Sequence, residues 1–209
     1  MKRIAIASIA CLFSLMSLAA DMSPHETVRR ASELLLDVIE ESQAYAETDE
    51  ARFYSAVTEV LDPFVDFTAI ARSVMAVHYK RATDEQRERF TTSFKSGLVR
   101  TYAKALLEFG DGGVDVIPPT TAPRNPERPT VKMEIRTTSG KVYPVSYSMA
   151  LDKRGQWRMR NVIINGINIG LTFRSQFSAA MKKKKNNVDS VVDGWAALVE
   201  NTDLDAPET

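Results

Sequence analysis

The 209-residue chain is poor in the side chains from which covalent or metal chemistry is built. It has one cysteine, Cys11, and two histidines, His25 and His78. Cys11 lies within an expected N-terminal leader, so the processed chain has no thiol, no disulfide and no Cys-ligated metal, and packing must supply its stability. The two histidines stand far apart along helical chain, which excludes the H-E-x-x-H arrangement of a zinc protease. No G-x-S-x-G, Walker loop, dinucleotide glycine fingerprint or EF-hand pattern is present. Neither sign of charge prevails, with 27 basic against 27 acidic residues, and no global nucleic-acid footprint results. Beyond residue 20 no apolar run is long enough to span a bilayer.

What is there begins with "MKRIAIASIACLFSLMSLAA", two basic residues followed by an apolar run and small residues, with no acidic residue. This pattern predicts a bacterial secretory signal peptide over residues 1–20, cleaved after Ala19 or Ala20. A membrane-spanning helix is disfavoured by the shortness of the run, and a lipoprotein anchor at Cys11 by Ser8 where an aliphatic residue is usual. Losing Lys2 and Arg3 leaves 25 basic residues against 27 acidic ones, a mature chain near minus two. Residues 21–200 are expected to form one domain, and 201–209 an acidic, disordered tail with Asp203, Asp205 and Glu208.

Along that domain the hydrophobic period is first helical. Ser23 and Pro24 open a helix to about Ala44, a second runs from about Asp49 to Pro63, and a third follows Asp66. Thr83 and Gln86 form a capping box that opens the longest helix, whose Phe90, Phe94, Leu98, Tyr102 and Leu106 recur every four residues until Gly110. The period then becomes two. "VDVIP", "TVKMEIRTT", the stretch carrying Tyr143 to Leu151, and the stretch opening at Trp157 read as an antiparallel meander of four to five strands. The apolar phase changes parity between Met159 and Val162, which predicts a bulge or twist near Asn161. "LTFRSQFSAAMKKKK" reads as a helix whose lysines suit its C-terminal pole, and one last helix over 188–198 contains Trp195. The fold class is α+β, a single domain of helices around a curved antiparallel sheet enclosing an apolar cavity.

Chemistry is scarce in this frame. Asp66, Asp115 and Asp152 are the carboxylates placed to act as acid or base, but a cap, a strand end and a turn account for them. No catalytic residue, metal site or cofactor is assigned, and the chain is not read as an enzyme.

Two stretches, "LDPFVDFTAIARSVMAVHYKRATDEQRERFTTSFKSGLVRTYAKAL" and "YPVSYSMALDKRGQWRMRNVIINGINIGLTFRSQF", resemble the MlaC or toluene-tolerance family of periplasmic phospholipid-binding proteins. Pro63, Asp66, Phe67, Thr83, Glu85, Gln86, Arg87, Phe90, Leu98, Tyr102 and Ala103 carry the first match. Val145, Tyr147, Trp157, Val162, Gly166, Ile167, Arg174, Ser175 and Phe177 carry the second. The chain departs from the family where it has Ala76 for a glycine, Asn161 for an aspartate, Asn168 for a serine and Phe173 for a frequent tyrosine. The aspartate and serine exchanges bear on any polar network at the sheet edge.

The resemblance implies a monomeric carrier in the periplasm of a Gram-negative bacterium, with phospholipid as cargo and no other cofactor. It also implies two partners, an inner-membrane Mla-type ABC transporter complex and an outer-membrane lipoprotein complex, and a role in outer-membrane asymmetry. The expected lipid-binding walls are Phe90, Phe94, Leu98, Tyr102 and Leu106 on the long helix, with Val145, Tyr147, Met149, Val162, Ile164 and Ile167 opposite. Met75 and Met133 are added as adaptable wall residues. Arg174 is expected in a structural salt bridge. The rival reading is a periplasmic chaperone or adaptor whose groove grips apolar protein segments.

Overall fold

The computed structural model describes residues 22–107, 113–137 and 139–200. The expected leader, the expected tail and Gly110 lie outside them.

The N-terminal half is helical, and its helix starts are set locally. In α1 (Pro24–Ser42) the Ser23 hydroxyl accepts from Glu26 N–H while the Glu26 carboxylate accepts from Ser23 N–H, a complete capping box with proline at the first position. Asp49 caps α2 (Glu50–Leu61), and Asp66 caps α3 (Phe67–Met75) by accepting from Ala69 N–H at 2.9 Å. A 3-10 turn over Ala76–His78 follows. The Thr83–Gln86 box opens α4 (Asp84–Leu107), the longest helix, with reciprocal bonds of 3.0 and 3.2 Å.

Five strands follow in an unclosed antiparallel meander: β1 (Val114–Val116), β2 (Thr130–Arg136), β3 (Val142–Leu151), β4 (Trp157–Ile164) and β5 (Ile167–Asn168). In β3 and β4, Ser148 faces Asn161 and Met149 faces Met159, so Arg160 is an extra, unpaired residue. This bulge lies one residue from the expected position and lets Met159, Val162 and Ile164 reach the same cluster despite their unequal parity. The segment before α3 is tied to β4, since Asp66 N–H donates to Met159 O and Met159 N–H to Phe64 O, at 2.9 and 2.8 Å.

Two expectations are corrected. The chain does not leave the sheet past Gly166: Asn165 and Gly166 take φ of 51° and 85°, a two-residue turn that pairs Ile164 with Ile167 and creates β5. The last helix is broken at Gly194 into α6 (Val188–Asp193) and α7 (Trp195–Glu200). Before it, α5 (Ile169–Lys183) begins two residues earlier than the pattern suggests and carries Lys182 and Lys183 in its last turn, where they oppose the negative pole.

Candidate functional site

Buried side chains gather in separate clusters. A helical cluster joins α3, α4, α5, α6 and α7, and aromatic rings fill its centre. Phe90 meets Phe177 at 4.9 Å and Trp195 at 5.0 Å, both edge to face, and Phe94 meets Phe173 at 5.4 Å and 90°. Such geometry places each ring's positive edge on its neighbour's negative face. A sheet cluster joins Val28, Ala31 and Phe64 to Val131, Met133, Val145, Met149 and Met159. A third, between α1, α2 and α4, holds Phe53, Val57, Val99 and Ala103.

The thirteen expected wall residues divide among these places. Met75, Phe90, Phe94, Met133, Val145 and Met149 are fully buried within the helical or the sheet cluster. Leu106 packs against the third cluster, away from the others. Leu98, Tyr102 and Ile167 border the helical cluster, Tyr147 borders the sheet cluster, and Val162 and Ile164 touch both. These last six keep part of their surface accessible. Phe173, Phe177 and Trp195, the partners of the long helix's aromatic stripe, were not among the expected residues, although the four-residue spacing of Phe173 and Phe177 in α5 was a usable signal.

Tyr147 is the informative member. It retains accessible area, yet burial pushes its phenol up to about 12. Low-dielectric surroundings at the phenol disfavour its charged form.

Where β4 and β5 meet the start of α5, two asparagines build a polar joint. Asn161 Nδ2 donates to Asn168 Oδ1 at 3.0 Å, Gly170 N–H donates to Asn161 Oδ1 at 3.1 Å and Leu171 N–H to Asn168 Oδ1 at 3.1 Å. Two of the free N–H groups at the start of α5 are thereby satisfied from β4 and β5. Arg174 corrects its expectation: it forms no ion pair among the described residues, and donates to Ser73 O and Ser73 Oγ at 2.8 and 2.6 Å.

The carboxylates are occupied structurally. Asp66 caps α3 and pairs with Arg160 at 3.0 Å, and the exposed Asp115 pairs with Arg136 at 3.0 Å. Asp152 closes a turn, where the Gln156 N–H, aided by that of Arg154, holds its carboxyl below the ordinary range. Burial and the nearby Arg29 lower the pKa of His25, while the His78 ring lies 5.9 Å from that of Phe177. Among the described residues no group of three or more His, Cys, Asp or Glu could hold a metal ion, and no helix is long and apolar enough to cross a membrane.

Helices laid on an open, curved antiparallel sheet, with one apolar cluster among the helices and another on the sheet, define a single α+β domain. Residues 29–197 match the family model described as MlaC protein, and the chain belongs to the MlaC family. It is 41% identical over 189 residues to the toluene tolerance protein ttg2D of Pseudomonas putida, covering 90% of this chain and 86% of that one. It is 26% identical over 97 residues to the intermembrane phospholipid transport system binding protein MlaC of Haemophilus influenzae, covering 46% of this chain and 45% of the other. Among solved structures, a phospholipid-binding protein from Ralstonia solanacearum in complex with a phospholipid superimposes with a TM-score of 0.76 at 23% identity, covering 85% of this chain and 99% of that one. At that identity the likeness establishes the fold.

Proposed function

We propose that this protein is a periplasmic phospholipid carrier that moves lipid between the inner and outer membranes and so maintains outer-membrane asymmetry. In this reading residues 1–20 direct export and are removed, residues 21–200 form the lipid-binding domain, and residues 201–209 are a tail. The single observation that carries it is the position of Tyr147, Val162 and Ile164. Val162 and Ile164 pack against both the helical and the sheet cluster, Tyr147 stands opposite Val162 at the edge of the sheet cluster, and all three keep part of their surface accessible. Leu98, Tyr102 and Ile167 complete the wall. Met75, Phe90, Phe94, Met133, Val145 and Met149 stand behind it as packed support, and Leu106 stands apart. The names of the relatives, and the phospholipid bound by the Ralstonia protein, support the same cargo.

Energetics explain why a carrier is needed. Two acyl tails hold about 30 methylenes, and at about 0.8 kcal/mol each their exposure costs about 24 kcal/mol. Unassisted passage through water is therefore far too slow, and a hydrocarbon-lined hollow cancels most of the cost. The docking partners in this reading are an inner-membrane Mla-type ABC transporter complex and an outer-membrane lipoprotein complex, with the carrier acting as a monomer and without catalysis.

Solvent extraction and mass spectrometry of the purified mature chain test the cargo. Phospholipid in near-stoichiometric amount is the expected result. A lipid-free protein that instead captures unfolded polypeptide would replace the carrier with a chaperone.

A further inference from the structure

A depression of about 740 Å³ opens between α3, the end of β3, the bulge of β4 and α5. Arg72, Lys80, Arg128, Arg160 and Arg174 line it, and no aspartate or glutamate does. In a chain with equal numbers of basic and acidic residues, such segregation is not a consequence of composition. Of the five, only Arg160 has a carboxylate partner among the described residues, Asp66. Arg174 is held in place by the neutral acceptors of Ser73, which orient its guanidinium without cancelling its charge. Arg72 rests 5.3 Å from the centroid of the Tyr79 ring.

Like charges around a concave, low-dielectric surface repel one another and focus a positive potential into it, and an anion relieves both. Arginine is the side chain best suited to oxyanions, because its planar fork donates two parallel hydrogen bonds to one phosphate. The wall is also strained, since Ala76 takes φ 47° and ψ −120°, a conformation that side chains rarely adopt and that persists where a local geometry is enforced. Finally, the lining residue Met149 belongs to the sheet cluster and follows Tyr147 by two positions in β3, roughly 7 Å along a strand.

We propose that this cleft is a binding site for a phosphate group. The phosphate chemistry has two sources: the headgroup of a lipid whose tails occupy the space beside Tyr147, which rests on the carrier reading, or a free phosphate ester. The two sources differ in whether cargo blocks the cleft.

The test uses the full mature chain, with glycerol 3-phosphate as probe in a low-salt NMR titration, on lipid-free and lipid-loaded protein. Phosphorus NMR of the bound lipid is recorded alongside. The expected result is probe binding to the lipid-free protein that weakens at least tenfold in the Arg72→Gln, Lys80→Gln, Arg128→Gln triple variant and is retained in Arg72→Lys, Arg128→Lys. All three side chains are exposed, and thermal melting checks that the variants fold. Loss of probe binding on lipid loading, with a headgroup phosphorus resonance that differs between wild type and triple variant, assigns the phosphate to cargo. Binding to both forms assigns it to a free ester. Equal binding by wild type and triple variant overturns the proposal, as does absence of binding with an unchanged phosphorus resonance. So does capture of phosphatidylglycerol vesicles or of polyglutamate without any binding of the probe. A protein that binds the probe but never carries lipid leaves the cleft standing and removes the carrier reading.

Discussion

Asn161 and Asn168 join through a 3.0 Å hydrogen bond, and Gly170 approaches so closely that a Cβ on it would stand 2.4 Å from Asn161 Oδ1. Alanine is ordinarily the better helix former by about 1 kcal/mol, yet here the clash and the broken hydrogen bonds outweigh that preference. Gly170→Ala is expected to destabilise the fold by about 1–2 kcal/mol in urea titration. Combined with Asn161→Ala, which opens the space, it should cost less than the sum of the single changes. Strictly additive costs would show that the two residues do not compete for that space.

Ala76 supplies a stabilising substitution. A side chain in the left-handed region costs about 1–2 kcal/mol, of which the greater backbone freedom of unfolded glycine takes back part. Ala76→Gly should raise the melting temperature by about 2–4 °C in a domain of this size. A lowered melting temperature would mean that the backbone is unstrained at this position.

Filling and emptying the interior should separate support from wall. Phe90→Ala removes a ring enclosed by Phe177 and Trp195 and is expected to cost about 3–5 kcal/mol. Val162→Trp places a large side chain where Val162 touches both clusters, and on the carrier reading it should abolish co-purifying phospholipid while the melting temperature stays within a few degrees. Lipid retained at wild-type stoichiometry in a folded Val162→Trp protein would place the cargo elsewhere.

Tyr147 predicts an alkaline sensitivity. Its folded pKa of about 12 lies above the ordinary value of 10.0. The folded state therefore keeps a proton that the unfolded chain loses, so the contribution is intact below pH 10 and declines as pH rises toward 12. The decline amounts to about 2 kcal/mol. Urea titrations across that range should fall less steeply for Tyr147→Phe than for wild type. Identical slopes would mean that the phenol ionises freely in the folded state.

Much of the architecture could be read directly because it is written in short-range chemistry. The capping boxes at Ser23 and Thr83 and the aspartates before α2 and α3 act within one turn, and the parity change after Met159 is a local count that located the bulge. The same kind of signal was present but missed at "NG", where Asn165 and Gly166 make the tight turn into β5, and at Gly194, where the last helix breaks. The lipid-facing set was less legible. Phe90 and Leu98 lie on one helical stripe with the same spacing, yet Phe90 is enclosed by rings from α5 and α7 whereas Leu98 packs at the edge of the cluster and stays partly accessible.

By itself, the amino-acid order determined the succession of helices and strands, the caps, the α+β class and the scarcity of catalytic and metal-binding groups. These follow from periodicity, from backbone preferences that span a few residues, and from counting side chains. Only the tertiary structure decided which apolar residues are enclosed by others and which stay partly accessible at a cluster's edge, and it alone gathered Arg72, Lys80, Arg128, Arg160 and Arg174 into one cleft. The reason is physical: whether a buried stripe is filled depends on what the opposing element brings to it, and that element is set by contacts many residues away in the chain.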